Sequence, residues 1–230
     1  MGIISIRYIF ELPEGHQVQK DIQLDSQRLN IINNCPDVLP EWAALDFYQC
    51  AHCPLSVTTH PYCPLAANLV NITNQLDIFF SYQQIRVKVV MENRTIIQNT
   101  TIQKGLSSLM GLVIATSGCP HTTFFKSMAR FHLPLADEDE TICRVTSMYL
   151  LAQYFLKNEG KSADFDLKGL KQLYDNMHII NTAIAKRLRA ASKTDSAVNA
   201  IVLLDVFTCV LPLSIEACLH EIGHLFHCDG

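Results

Sequence analysis

Gln84-Ile85-Arg86-Val87-Lys88-Val89-Val90-Met91, running on through Glu92-Asn93-Arg94 into Thr95 to Ile102, decides the fold class. Ile85, Val87 and Val89 alternate with Arg86 and Lys88, the period-two signature of a strand with one buried face. Glu92-Asn93-Arg94 has turn composition, so the stretch predicts a β-hairpin. Upstream, Ile3 to Leu12 and Gln17 to Leu24 flank the turn-like Pro13-Glu14-Gly15-His16 and predict another. Two hairpins imply a small antiparallel sheet. From Gly105 onward strand patterns vanish and helical spacing takes over. The chain therefore reads as α+β: N-terminal antiparallel β-hairpins with a Cys-rich loop between them, then a C-terminal helical bundle. The β-rich part covers residues 1–103 and the helical part 104–230, and no Gly- or Ser-rich linker separates them, so one compact unit is expected.

Helices are predicted at Leu65 to Leu76, Lys104 to Ala115, Asp137 to Lys157, Ser196 to Val210 and Leu213 to Phe226. The clearest comes after Asp164, read as an N-cap, with Leu167, Leu170, Leu173, Met177, Ile180, Ile184 and Leu188 spaced by three or four. Lys186, Arg187, Arg189 and Lys193 supply the positive charge that suits its C-terminus.

Of the 230 residues 49% are hydrophobic, which excludes disorder, and 18 basic against 22 acidic side chains give a net charge of −4, which does not suit a nucleic-acid partner. Charged residues are only 17% of the chain, leaving room for a protein partner or a homo-oligomer. Leu106 to Ala115 and Ala197 to Leu213 are too short or too interrupted, by Asp205 and Pro212, to cross a membrane. Met1 to Arg7 does not read as a signal peptide, so the Asn-x-Thr matches at Asn71, Asn93 and Asn99 carry no glycosylation argument and a cytoplasmic location is expected. In a reducing compartment, clustered cysteines point to metal or redox chemistry rather than to disulfides.

Nine cysteines are present. Cys50-Ala51-His52-Cys53-Pro54 holds a C-x2-C pair, and His60-Pro61-Tyr62-Cys63-Pro64 adds a third thiol nearby. Such a turn can present two thiolates to one soft or borderline ion. The fourth ligand is not local, and the candidates are Cys119, Cys35, His60 and His121. Cys35, Cys53, Cys63 and Cys119 each precede a proline, against roughly 0.35 such pairs expected from composition. Proline biases its predecessor toward extended geometry and fixes its own φ, which stiffens a loop that holds a thiolate. Zn2+ is the first reading and a [4Fe-4S] cluster the alternative. Cys143, Cys209, Cys218 and Cys228 fall on predicted helices or the tail and are expected to be packing residues.

Two further patterns carry chemistry. His220-Glu221-Ile222-Gly223-His224 matches the zinc-hydrolase helix motif, with Gly223 inside it and only six residues after it. His121, Arg130 and His132 lie close in sequence and, with His60, could form a pocket or outer shell beside a metal, while a structural role is the competing expectation for His132. On balance a non-enzyme is expected.

The combination Gln49-Cys50-x-x-Cys53-Pro54-Leu55, His60-Pro61-x-Cys63-Pro64-Leu65-Ala66-Ala67-Asn68-Leu69, Ser117-Gly118-Cys119-Pro120-His121 and Ala129-Arg130-Phe131-His132-Leu133-Pro134 resembles an uncharacterised bacterial family, cytosolic and of similar length, known as a domain of unknown function. The resemblance spans most of the chain and implies no activity. Cys35 and the His-Glu-x-x-His pattern lie outside the family's motifs, which favours Cys119 as fourth ligand and weakens the hydrolase reading. The expectation is a cytoplasmic binding or regulatory module whose Cys50, Cys53, Cys63 and Cys119 close a structural zinc site, with the iron–sulfur protein and the zinc hydrolase as alternatives.

Overall fold

The computed structural model describes residues 2–13, 15–33, 35–76 and 79–226, with the side chains of Leu213, Ser214, Glu216, Cys218, Ile222 and Phe226 outside that description. Both hairpins form. Strand β1 (Ile3–Glu11) pairs antiparallel with β2 (Gln17–Asp25), from Ile3 opposite Asp25 to Glu11 opposite Gln17. Strand β3 (Gln84–Met91) pairs with β4 (Arg94–Thr101), Met91 standing opposite Arg94, so the turn is the two residues Glu92-Asn93 rather than three. The hairpins join through β1 and β3, Ile6 facing Met91, to give the antiparallel order β2-β1-β3-β4.

One face of the sheet is apolar because alternate residues point to it: Ile6, Tyr8 and Phe10 from β1, Ile22 and Leu24 from β2, and Ile85, Val87 and Val89 from β3 are all buried. Lys20 interrupts that row on β2. Its ammonium donates to the Asn71 carbonyl, and burial pulls its pKa down to about 8. Helices α1 (Pro64–Leu76) and α2 (Ile102–Thr116) contribute Leu65, Leu69, Ile72, Leu106, Leu109 and Val113 to the same core. Gly105 lets α2 approach closely: a Cβ there would stand 2.9 Å from Val87 Cγ2 and 3.0 Å from Phe10 Cε1.

After a short helix α3 (Lys126–Arg130), the chain forms α4 (Glu138–Asn158), α5 (Lys168–Ala191) and α6 (Ser196–Ile222). Ile180, Ile184 and Leu188 of α5 and Ala197, Ala200 and Ile201 of α6 extend the core begun on the sheet, while Ile142, Val145 and Tyr149 of α4 meet Leu170, Tyr174, Leu211 and Ile215 in a second cluster. Asp137 caps α4 in a capping box: it accepts from the Glu140 N–H at 2.8 Å, and Glu140 accepts from the Asp137 N–H at 3.0 Å.

Three further sequence expectations change. The N-cap of α5 is Leu167, in left-handed geometry with φ 61°, and not Asp164. Asp164 serves the helix start from further upstream, accepting from the Gly169 N–H at 2.7 Å and from the Tyr149 hydroxyl at 2.8 Å. The two helices expected at Ser196 to Val210 and Leu213 to Phe226 are one continuous α6, with Pro212 inside it, followed by a 3-10 turn at Gly223–Phe226. Proline removes one N–H, and a 27-residue helix with many other ladder bonds and buried packing tolerates that loss. Arg187, expected as one of the charges that suit the C-terminus of α5, is instead only 1% exposed and serves a turn elsewhere in the fold.

The start of α6 is tied to the loop before β3. The Asp195 carboxylate accepts from the Ser81 N–H at 2.9 Å, the Ser81 hydroxyl at 2.7 Å and the Asn199 amide at 2.9 Å. Those bonds, the Ser81 hydroxyl foremost, hold its pKa below the ordinary carboxylate value. A carboxylate with a lowered folded pKa contributes stability that is present above the unfolded value and lost as pH falls through the folded one. Asp195→Asn is therefore expected to cost about 1 kcal/mol at neutral pH. Urea midpoints of variant and wild type should converge below about pH 4, the unfolded carboxylate range. A gap that persists or widens in acid would contradict this assignment.

Candidate metal centre

The Cys-rich loop is held by backbone pairing rather than by regular structure. A 3-10 turn at Glu41–Ala43 leads to a bridge between Ala44 and Tyr62, reinforced by Leu45 N–H to Pro61 O and Cys63 N–H to Ala43 O, both 2.9 Å. Arg187 reaches into this turn from α5 and forks onto three carbonyls: Trp42 at 2.8 Å, Ala44 at 2.6 Å and Leu45 at 3.0 Å.

Two of the Cys-Pro pairs initiate helices. Cys63 precedes Pro64 at the first position of α1, and its carbonyl accepts from the Ala67 N–H at 2.9 Å. Cys119, with extended ψ of 129°, precedes Pro120 at the start of a 3-10 segment Pro120–Phe125. The proline preference for extended predecessors is realised there. Cys50 and Cys53 belong to a tight turn closed by the Cys53 N–H to Cys50 O bond of 3.0 Å.

These four thiols are half-buried and share one electrostatic neighbourhood. Burial pushes the Cys50 pKa up to about 12, and Cys63, Cys119 and Cys53 add to the shift while Arg187 opposes it. Burial likewise raises Cys119 to about 11, against backbone N–H groups of His121 and Thr122 that favour its thiolate. Without a cation the thiols at Cys50 and Cys119 therefore keep their protons at neutral pH, and a divalent ion is the kind of charge that would displace them. Among the described residues, no three of these four sulfurs come within 4.8 Å of one another.

The other predicted residues separate. Cys35 is exposed, with its thiol toward the Pro36 carbonyl at 3.8 Å. His60 is exposed and its Nδ1 meets the Thr59 hydroxyl at 2.9 Å. His121 stays beside the C-x2-C turn: its Nε2 meets the His52 carbonyl at 2.9 Å and its ring stacks on His52 with centroids 4.0 Å apart. Arg130 is exposed and covers the Phe131 ring. His132 points elsewhere, its Nε2 2.6 Å from the Tyr8 hydroxyl, and burial followed by the Arg144 charge lowers its pKa to about 3. It lines, with Ser108, Arg144 and Asn181, a mainly apolar cavity of about 480 Å³ between helices.

Sequence reasoning passed over two residues at the centre. His52 lies inside the C-x2-C turn, and both its ring nitrogens are buried without a partner. Its place between the two cysteines was the available signal. Arg187 comes after Ile180 and Ile184 at helical spacing on the buried face of α5, which is what its charge concealed. Cys209, expected to be a packing residue, is instead exposed and lies 3.2 Å from His178 Nδ1. Cys143 is half-buried, and Cys218's side chain and Cys228 lie outside the described residues.

The His-Glu-x-x-His stretch straddles a helix end. His220 and Glu221 are exposed on the last turn of α6, whereas His224 sits in the 3-10 turn with its Nδ1 2.7 Å from the Glu221 carbonyl. The regular spacing that puts residues i and i+4 on one α-helical face is interrupted between them. Among the described residues, no helix is long and apolar enough to cross a membrane.

A family model described as "Domain of unknown function (DUF6901)" matches residues 6–227. The chain belongs to the DUF6901 family. The family match runs from the middle of β1 past the end of α6, so the sheet, the Cys-rich loop and the helices are all within it. No curated protein and no solved structure matches the chain.

Proposed function

We propose that this DUF6901 chain is a cytoplasmic metal–thiolate protein in which Cys50, Cys53, Cys63 and Cys119 hold a zinc ion that fastens the Cys-rich loop to the ends of α1 and α2. The observation that carries the reading is the shared neighbourhood of four thiols drawn from three separate stretches, each acting on the Cys50 charge. Four thiolates close a tetrahedral shell, so the ion would be structural. Two positive features suit the resulting anionic site: the buried Arg187 guanidinium, whose charge the thiols favour, and the backbone N–H groups aimed at Cys119. The corresponding role is that of a binding or regulatory module, with the cavity beside His132 as a place for a small apolar molecule.

A [4Fe-4S] cluster is the second reading, and the Cys-Pro pairs favour it, since such pairs also occur at iron–sulfur ligands. Around one zinc, with Zn–S about 2.3 Å, thiolates stand roughly 3.8 Å apart. A cubane cluster spaces its thiolates more widely, so the two readings differ in the sulfur separation they require. Metal and sulfide analysis of anaerobically purified protein, with its absorption spectrum, separates the two. At least one zinc per chain without visible absorption is expected, and iron with acid-labile sulfide would establish the cluster. Protein that retains neither under reducing conditions would refute both.

A further inference from the structure

We propose that His178, Asp205 and Cys209 form a second metal site, a three-ligand centre for a borderline divalent ion such as Zn2+, open to solvent on the α5–α6 face. Asp205 and Cys209 are one turn apart on α6, and His178 faces them from α5. Their ligand atoms all lie within 4.8 Å of one another. His178 Nδ1 is 2.9 and 3.1 Å from the two Asp205 oxygens and 3.2 Å from Cys209 Sγ.

That convergence is awkward for hydrogen bonding alone. An imidazole Nδ1 offers one in-plane direction, either a proton or a lone pair. If it donates to Asp205, the Cys209 sulfur gains no donor from it. If it accepts from the Cys209 thiol, its lone pair stands against the carboxylate. One cation accepts from all three at once. Around zinc, tetrahedral edges between nitrogen, oxygen and sulfur ligands are roughly 3.3–3.7 Å, so small side-chain adjustments complete the geometry. The mixture of imidazole, carboxylate and thiolate selects zinc-like ions over magnesium or calcium.

The elements that carry the ligands are fixed one turn away. Asn181 of α5 is 1% exposed and donates through Nδ2 to the Thr208 hydroxyl of α6 at 3.0 Å, while that hydroxyl donates to the Leu204 carbonyl at 2.8 Å. This buried link sets the register of the two helices, and with it the approach of His178 to Asp205. The ligand side chains themselves are accessible, His178 being 51% and Asp205 24% exposed, so an ion can enter and its fourth position is left for water or an incoming ligand.

The test is residue-resolved and independent of the four-thiol centre. Reduced full-length protein is alkylated with iodoacetamide, with and without added Zn2+, and Cys209 modification is tracked in the digest by mass spectrometry. Zinc is expected to slow Cys209 alkylation at least tenfold in wild type, and this protection is expected to disappear in His178→Ala and in Asp205→Asn. No protection in wild type, or equal protection in both variants, overturns the site, the latter by reducing it to zinc on a single thiol. Cys50, Cys53, Cys63 and Cys119 are read in the same digest, so failure of the proposed zinc–thiolate centre appears separately.

Discussion

Replacing Arg187 with methionine is expected to destabilise the protein by about 3–5 kcal/mol, because it keeps the apolar stem while leaving the Trp42 and Leu45 carbonyls without a donor and the Ala44 carbonyl with only its 3.3 Å bond from the Phe47 N–H. The acceptors belong to Trp42, Ala44 and Leu45, and the guanidinium that serves them is 1% exposed. For a chain of this size roughly 2–4 °C of melting temperature accompany each kcal/mol, so a fall on the order of 10 °C is expected in a thermal scan. Arg187→Lys should recover only part of this, since an ammonium keeps the charge but cannot fork onto three carbonyls set by a planar group. The same turn carries Cys63 through its bond to Ala43, so the methionine variant should also bind metal more weakly. A methionine variant within 1 kcal/mol of wild type would show that the turn has another anchor.

The second large effect is expected on stripping metal from the proposed four-thiol centre. A ligand that binds only the folded state adds about 4 kcal/mol when present at a thousand times its dissociation constant. Chelation should then lower the melting temperature by roughly 8–16 °C, reversed by Zn2+ and not by Mg2+. The loss should stop short of global unfolding, because the core between the sheet, α1 and α2 is built from apolar side chains that need no ion. Cys50→Ser combined with Cys53→Ser should melt where chelated wild type does and ignore further chelator. Acid should mimic the chelator, since protons compete for the same thiolates. A melting temperature indifferent to chelator would remove the metal from any account of the fold.

The sheet was legible in the sequence because its strands bury one face, and alternation at Ile85, Val87 and Val89 is the direct record of that. The long helices were legible for the same reason at their own period. What the pattern did not carry was pairing between distant segments. Nothing local to Ile6 indicates that Met91 will stand opposite it. Local rules also misread residues whose partners are remote. Arg187 looked like a helix-end charge because its carbonyl acceptors are more than 140 positions away. Cys209 looked like filler because His178 lies 31 positions earlier on another helix. The Cys-Pro pairs gave a stronger signal, since proline leaves its mark on the adjacent residue, and two of those prolines do begin helices.

The placement of β1 has a consequence for how the chain is made. During synthesis β1 can pair at once with β2, but its other edge belongs to β3, and the Ile6–Met91 partnership closes only when the chain more than eighty residues beyond Ile6 has appeared. Until then a row of unpaired N–H and C=O groups from Ile6 to Glu11 stands open beside apolar side chains, the condition that favours pairing with another chain. Such a long closure also slows folding. The nascent hairpin must therefore remain unmatched through synthesis of the whole Cys-rich loop and α1, which makes β1 the strand most dependent on prompt arrival of β3.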